Sequence, residues 1–123
     1  MGLIIADTNI ILYIIKGISE IKPFLDAQFA LSEISEIELL GVKDIQEKEL
    51  DLRRNIIADC FLLYFNQAVK EIAIELKQKY TIKIPDAIIA ASTVHFKLPI
   101  LTADKGLFRI KEADIIPLII SER

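Results

Sequence analysis

The chain has 123 residues, of which 53% are hydrophobic, and its 15 basic and 18 acidic residues give a formal net charge of −3 at neutral pH. This length suits one domain over residues 1–123 with a substantial core, and the hydrophobic share excludes an intrinsically disordered protein. The negative balance excludes a strongly basic surface, so nucleic acid would need a local basic patch or a metal ion to bind.

Three features of the sequence predict a cytoplasmic protein that does not associate with membranes. No stretch reaches the roughly 18 apolar residues of a membrane-spanning helix, because Asp7 and Lys16 interrupt the N-terminal one. That segment also lacks the basic region and the small-residue cleavage site of a signal peptide. The single cysteine, Cys60, cannot form an internal disulfide and lies among apolar residues, so we expect a buried, reduced thiol.

The first third of the chain predicts two strands, each followed by a helix. The run from Leu3 to Ala6 is short and continuously apolar, which is typical of a strand covered on both faces. A helix is expected from Ile10 to Ile15, ending near Gly17, and a second strand is expected from Gln28 to Leu31. Either Ser32 or Ser35 would cap the helix that follows.

The middle of the chain predicts mainly helices. The segment from Val42 to Asn55 is polar, but Ile45, Leu52 and Ile56 recur at helical spacing on one side, and favourable charge pairs accompany them, which indicates a surface helix with one buried stripe. The segment from Phe61 to Phe65 is compatible with a strand or with a helix end. Asn66 is a candidate cap for a helix over Gln67 to Lys79, and Pro85 is typical of the first turn of another helix.

The last quarter of the chain predicts two more strands. One is expected at Pro99 to Thr102 and the other at Ile115 to Ile120, where Pro117 favours an edge position in the sheet. Strands that alternate with helices indicate an α/β fold in which helices cover both faces of a parallel sheet.

Four acidic residues occupy comparable positions in this layout. Asp7 and Asp104 directly follow predicted strands, Asp86 lies in the first turn of a helix, and Glu38 lies about two turns into one. Each has a simple structural explanation, as a turn residue, a helix cap or part of a capping box. Because parallel strands present their carboxyl ends at one edge of the sheet, we nevertheless expect the four to meet there.

Carboxylates that meet at one edge repel one another and have raised pKa values unless a cation neutralises them. Oxygen ligands suit hard divalent ions, and Mg²⁺ binds through one or two carboxylates while keeping several waters. Such an ion can activate a water and offset the charge of a phosphodiester. The four acids together therefore predict metal-dependent phosphoryl chemistry.

Four segments resemble the PIN domain family and, within it, the toxin subunit of VapBC-type toxin–antitoxin pairs. The order and separation of these segments suit the family, and the resemblance covers nearly the whole chain. The segments are IADTN at residues 5–9, SEISEIELLG at 32–41, IPDAIIAAS at 84–92 and LPILTADKGLFRI at 98–110.

This resemblance implies a three-layer α/β/α sandwich with a mainly parallel central sheet. It implies an endoribonuclease that depends on Mg²⁺ or Mn²⁺, forms a homodimer, and pairs with an antitoxin whose tail covers the active-site groove. Carried over by position, three residues are the metal ligands and a glutamate completes the catalytic set: Asp7, Asp86 and Asp104, with Glu38.

The resemblance also implies supporting polar residues that orient carboxylates or waters. Asn9 and Thr102 are the expected ones, and Thr8 is the weakest candidate. Two further acids, Glu33 and Glu36, lie close to Glu38 in sequence, but a helix turns Glu36 about 160° away from Glu38. Glu38 therefore remains the expected catalytic glutamate.

Other side chains carry weaker signals. We expect His95 to be structural or solvent-exposed, since no serine or cysteine nucleophile accompanies it at motif spacing. The aromatic residues Tyr13, Tyr64 and Phe65 are expected in the core or at a dimer surface. Four basic residues are candidates for RNA contacts, but an ordinary surface position fits each of them better: Lys16, Lys43, Lys105 and Arg109. Only Lys105 is favoured further as an RNA contact, because it is next to Asp104.

Three alternative functions remain open at this point. One is a PIN-domain nuclease of RNA processing outside a toxin–antitoxin pair. Another is a receiver-like domain with an aspartyl phosphoacceptor, although such domains and haloacid-dehalogenase-like phosphatases need further acids near Asp7, where Thr8 and Asn9 stand. The last is a catalytically inactive binding domain, which the presence of all four acids disfavours.

Overall fold

Strands and helices alternate along nearly the whole chain. The structure, a computed structural model, describes residues 2–121. Gly17, with φ of 70°, ends the first helix as its position in the sequence predicts. In chain order the elements are β1 (Leu3–Ala6), α1 (Thr8–Lys16), a 3₁₀ helix (Ser19–Phe24), β2 (Gln28–Ser32), α2 (Glu33–Leu40), α3 (Glu47–Ala58), β3 (Phe61–Leu63), α4 (Gln67–Lys79), α5 (Ile84–Phe96), β4 (Ile100–Thr102), α6 (Lys105–Phe108) and β5 (Ile115–Pro117).

The five strands form one sheet in the order β3-β2-β1-β4-β5, and each neighbouring pair is parallel. The chain therefore starts at the centre of the sheet and builds outward on both sides. Pro117 ends the edge strand β5, where its missing N–H removes no ladder hydrogen bond. Carboxyl ends of all five strands lie at one edge of the sheet, which we call the carboxyl edge.

Two apolar clusters cover the two faces of the sheet. In β1, Ile5 packs toward α4 and α5, while Ile4 and Ala6 pack toward α1 and α3. This alternation follows from the two-residue period of a strand. Both faces of the sheet are covered, so the central strands are mainly apolar, and the predicted α/β/α sandwich is confirmed.

Three local details differ from the sequence-based expectations. The helix predicted from Val42 begins only at Glu47, because Asp44 has a left-handed backbone with φ of 61° that interrupts a helix. The last strand ends at Pro117 rather than at Ile120. Cys60 is a free thiol but only partly buried, and its Sγ donates a hydrogen bond to a helix carbonyl.

Within residues 2–121, the helices are all too short or too polar to cross a lipid bilayer. The longest of them, α4 and α5, have 13 residues each.

Candidate active site

The carboxyl edge of the sheet carries the four acids singled out by the sequence. Asp7 immediately follows β1 and caps α1, and Asp104 follows β4 and caps α6. Glu38 lies on α2, which follows β2, and Asp86 lies in the first turn of α5. Parallel connectivity thus brings residues from four separate parts of the chain to one edge.

Asp7 is a buried carboxylate with a hydrogen bond to each oxygen. It is 6% exposed. Its Oδ1 accepts from the Thr8 backbone N–H at 2.8 Å, and its Oδ2 accepts from Thr102 Oγ1 at 2.6 Å. Both contacts fix the side chain in place, and the first also satisfies one of the free N–H groups at the start of α1.

Thr102 links Asp7 to Asp104. Its hydroxyl, at the end of β4, is fully buried and donates to Asp7, while the same oxygen accepts from the Asp104 backbone N–H at 3.0 Å. Asp104 in turn accepts from the Gly106 N–H through Oδ1 at 2.8 Å. One threonine therefore sets the relative positions of two acids that are 97 residues apart in sequence, as their numbers 7 and 104 show.

Thr8 and Ser35 hold Glu38. Thr8 Oγ1 lies 2.8 Å from Glu38 Oε1 and 2.8 Å from Ser35 Oγ, and the carboxylate can only accept, so Thr8 donates to Glu38. Ser35 is completely buried, one turn before Glu38 on α2, whereas Ser32 is the residue that caps this helix. Thr8 thus connects Asp7, through its backbone, with Glu38, through its side chain.

Asn9, the other expected supporting residue, is exposed, and no described residue hydrogen bonds with its side chain. The sequence favoured Asn9 over Thr8 as a supporting residue, whereas in the structure Thr8 contacts the acids and Asn9 does not. The signal that could have identified Thr8 is its place directly after Asp7, combined with a serine one turn before Glu38. A supporting role for Asn9 stays a prediction.

Asp7 and Asp86 lie close enough to the other acids of the site for those carboxylates to raise their pKa values. Burial raises the pKa of Asp7, the hydrogen bonds from Thr102 and Thr8 oppose that rise, and the carboxylates of Asp104 and Glu38 add to it.

Asp86 is half-buried, and burial likewise raises its pKa. The carboxylates of Asp104, Asp7 and Glu38 raise it further. A single nearby cation, Lys83, has a smaller opposite effect on this pKa.

Within residues 2–121, none of the four acids forms an ion pair. The two described ion pairs are Glu49 with Arg53 and Glu112 with Lys79, both outside the cluster. The acidic cluster, defined as Asp7, Glu38, Asp86 and Asp104, therefore has no described ion-pair partner.

The donor chemistry of this cluster fits a hard divalent cation. No group of three described His, Cys, Asp or Glu side chains is close enough to surround an ion by itself. Mg²⁺ does not need such a group, because it usually takes one or two carboxylates and keeps several waters. The cluster is consistent with an ion held partly through water.

Two other charged residues that the sequence suggested for this site, Glu33 and Arg109, form hydrogen bonds with backbone groups. Glu33 accepts a hydrogen bond from the Phe65 backbone N–H, which gives this extra acid a structural role. Arg109 donates to the Thr81 and Gly106 carbonyl oxygens, at 2.6 and 3.3 Å, and so connects the loop that leads to α5 with the helix α6 that Asp104 caps.

His95 lies near the C-terminal end of α5, about 14 Å along the helix from Asp86. Its ring stacks edge-on with Phe96, and its Nε2 lies 3.5 Å from Asn66 Nδ2. Both contacts agree with a structural or surface role for this histidine.

Comparison with known proteins finds one family and a consistent set of structures. The PIN domain family model matches residues 4–113. A toxin–antitoxin complex from Klebsiella pneumoniae contains a chain that is 27% identical, with a TM-score of 0.81 over 96% of this chain and 99% of that one. No curated protein sequence matches.

Two more distant structures share the fold. VapBC from Salmonella typhimurium, bound to DNA, is 17% identical with a TM-score of 0.80 over 97% of this chain and 100% of that one. VapBC-1 from nontypeable Haemophilus influenzae is 21% identical with a TM-score of 0.78 over 94% and 98% of the two chains.

Proposed function

This chain belongs to the PIN domain family, and from that premise we propose that residues 1–123 form one metal-dependent endoribonuclease domain, the toxin of a toxin–antitoxin pair. The observation that carries the nuclease proposal is the acidic cluster, because four carboxylates meet at the carboxyl edge with no described cation paired to them. The toxin assignment is supported by the similar structure of a toxin–antitoxin complex and by the similar VapBC structures.

In this proposal Asp7, Asp86 and Asp104 hold Mg²⁺ or Mn²⁺, directly or through waters. Such an ion, when bound, lowers the pKa of a water and offsets charge on the phosphodiester. Asp7 has both oxygens already hydrogen-bonded and is the most rigidly placed of the three. Thr102 keeps Asp7 and Asp104 in register, so the ligands are preorganised before any ion binds.

Glu38 has a different role, since it lies on α2 and is exposed. With one oxygen fixed by Thr8, it accepts a hydrogen bond from the attacking water and orients that water toward phosphorus. In-line attack by water breaks the bond to the 3′ oxygen of the preceding nucleotide. The products carry a 3′-hydroxyl and a 5′-phosphate.

The substrate and the partners follow from the resemblance to VapBC toxins. RNA is the proposed substrate and the cytoplasm the proposed location. A homodimer is the proposed assembly, with an antitoxin that covers the acidic cluster. The location, the homodimer and the antitoxin are proposals separate from the chemistry.

The chemistry is tested by incubating the purified chain with single-stranded RNA in Mg²⁺ or Mn²⁺, with EDTA added to a parallel sample. We expect internal cleavage that EDTA abolishes, and products with 5′-phosphate and 3′-hydroxyl ends. A 2′,3′-cyclic phosphate would show attack by the ribose hydroxyl and contradict the mechanism. Undiminished cleavage in EDTA would contradict metal dependence.

The toxin role is tested through the neighbouring reading frame. A short upstream protein with a DNA-binding N-terminal half is expected, and its co-expression should inhibit cleavage by this chain. If that protein neither binds nor inhibits the chain, the nuclease proposal stands and the toxin assignment fails.

A further inference from the structure

A second concave site lies beside the acidic cluster, on the face of the sheet that α1 covers. It is a cavity of about 200 Å³. Tyr13 of α1 and Phe108 of α6 line it, together with Ala103 and Lys105, the two residues that flank Asp104. The chain after β5, from Leu118 to Ile120, forms the remaining wall. We call this site the Tyr13 cavity.

The Tyr13 cavity is next to the proposed reaction centre. Ala103 and Lys105 are each one residue from Asp104, so their Cα atoms are about 3.8 Å from its Cα. Tyr13 lies six residues after Asp7 on the same helix, a rise of about 9 Å. A nucleoside that neighbours a phosphodiester at the acidic cluster would therefore be within reach of this cavity.

The walls of the cavity are fixed by hydrogen bonds. The Leu118 N–H donates to the Thr102 carbonyl oxygen at 2.8 Å, so one end of the C-terminal wall is fixed to β4. The Ser121 N–H donates to Glu20 Oε2 at 2.8 Å, which fixes the other end to the 3₁₀ helix. The cavity is therefore formed before any ligand enters.

The lining has the chemistry of a base-binding site. Tyr13 and Phe108 are both partly exposed and supply aromatic surface on which a planar ring can stack. The volume is below the roughly 300–1,000 Å³ of sites for drug-sized ligands, which suits a single ring system.

The charge around the cavity also suits a nucleotide. Lys105 is exposed, and no described residue forms an ion pair or a hydrogen bond with its ammonium group. Lys16 lies three residues after Tyr13, one turn along the same side of α1. Lys105, as part of the lining, is therefore placed for a phosphate next to a bound base, a contact that an apolar protein side chain would leave unmade.

We propose that the Tyr13 cavity receives one nucleobase of the RNA, adjacent to the phosphodiester at the acidic cluster, with Lys105 contacting a phosphate. This inference rests on the proposed function, because it takes RNA as the substrate. It gives a binding role to Phe108 and to Tyr13, which also packs against the apolar cluster on this face of the sheet. It also predicts that cleavage depends on a base at one position beside the scissile bond.

The first test measures binding without cleavage, in the Asp86→Asn background. The probe is a short uridine oligoribonucleotide that carries one 2-aminopurine, whose fluorescence falls when the base stacks. We expect quenching on binding, and Tyr13→Leu should abolish it and weaken affinity about 5- to 100-fold, the size of one lost stacking contact. Tyr13→Phe keeps the ring and should behave as the parent.

Tyr64→Leu is the matched control, because Tyr64 is an exposed tyrosine that follows the opposite edge strand, β3. It should leave quenching and affinity unchanged. Phe108→Leu is a second variant in case Tyr13→Leu does not fold, and it should reproduce the loss. Equal affinity and quenching in Tyr13→Leu and the parent would overturn the proposal, as would a loss of the same size in Tyr64→Leu.

The second test uses cleavage by the otherwise unchanged chain. RNA that lacks the base at one position next to the scissile bond should be cut about 5- to 100-fold more slowly, and Tyr13→Leu should add nothing further on that RNA. If the missing base and Tyr13→Leu each slow cleavage independently, so that the two reductions multiply, the proposal is overturned. If no RNA is cut but Tyr13 still governs binding, the proposed function fails and this inference stands. If RNA is cut normally by Tyr13→Leu, this inference alone fails.

Discussion

Carboxylates in two regions of this molecule have opposite electrostatics. Glu112, near the loop before β5, accepts hydrogen bonds from Lys79 Nζ and the Tyr80 hydroxyl, both at 2.7 Å. The Lys79 contact is the main cause that lowers the pKa of Glu112 to about 2. In the acidic cluster, burial and neighbouring carboxylates instead raise the pKa values of Asp7 and Asp86.

This difference separates a structural acid from acids that need an external partner. Glu112 is neutralised within the chain and connects the end of α4 to a distant loop. Hydrogen bonds fix Asp7, but no described ion pair neutralises it or Asp86. A cluster that costs folding energy without a cation is expected to bind one, and the following predictions test that distinction.

The largest expected effect is on cleavage. Asp7→Asn, Asp86→Asn or Asp104→Asn should each lower the rate at least about 10²-fold, on the scale of lost transition-state electrostatics. Rates are measured on one RNA at saturating Mg²⁺. Glu112→Gln, which also removes one negative charge, should cleave at the wild-type rate. Wild-type activity in Asp7→Asn would show that the acidic cluster is not the reaction centre.

A smaller effect is expected from the threonine between two acids. Thr102→Val removes both the hydrogen bond to Asp7 Oδ2 and the acceptor for the Asp104 N–H. We expect a loss of activity of about 10-fold or more from misplaced ligands and a loss of stability of about 1–3 kcal/mol, measured by denaturant unfolding.

Thr93→Val is the control for that variant. Thr93 is also buried, but its hydroxyl donates to the Ala90 carbonyl oxygen within α5. It should cost stability without lowering the activity of the folded protein. If both variants lose activity in proportion to stability, Thr102 has no specific role in placing the acids.

In the absence of a metal ion, the acidic cluster should lower the stability of the folded protein at neutral pH. Raised pKa values mean that the folded state holds protons on Asp7 and Asp86 more tightly than the unfolded state does. Stability from these groups is therefore present below the unfolded pKa of 3.8 and is lost as pH rises through the folded pKa. In EDTA at neutral pH, Asp86→Asn should consequently melt higher than wild type.

Added Mg²⁺ should reverse that order, because an ion that binds only the folded state stabilises it by mass action. Wild type should gain thermal stability with increasing Mg²⁺, and Asp86→Asn should gain less. A lower melting temperature of Asp86→Asn in EDTA would contradict the view that the cluster is unfavourable without a cation.

Much of this arrangement could be predicted from the sequence because it depends on local patterns. Short apolar runs identified β1 and β2, and Gly17 identified the end of α1. Asp7 and Asp104 were placed at the carboxyl edge because each lies within two residues after the end of a strand.

The remaining details depend on contacts between distant segments or on backbone strain. The hydrogen bond from Thr8 to Glu38 joins residues 30 positions apart and depends on how α1 packs beside α2, which no local pattern encodes. The left-handed backbone of Asp44 delays α3, although its sequence continues the helical pattern. Arg109 is exposed, as expected of a surface cation, but its guanidinium also donates to the carbonyl oxygens of Thr81, in a loop, and Gly106, in α6.

The smallest expected effect comes from the acid that is already neutralised. Because the pKa of Glu112 is lowered to about 2, its contribution to stability is present above the unfolded value of 4.5 and is lost as pH falls through about 2. Glu112→Gln should therefore be slightly less stable than wild type at neutral pH, and the difference should vanish at low pH. Urea unfolding of both proteins across this range measures it, with Mg²⁺ present and absent. The difference should be the same with and without the ion, whereas that of Asp86→Asn changes sign. A dependence of the Glu112 effect on Mg²⁺ would remove the distinction between the two kinds of acid.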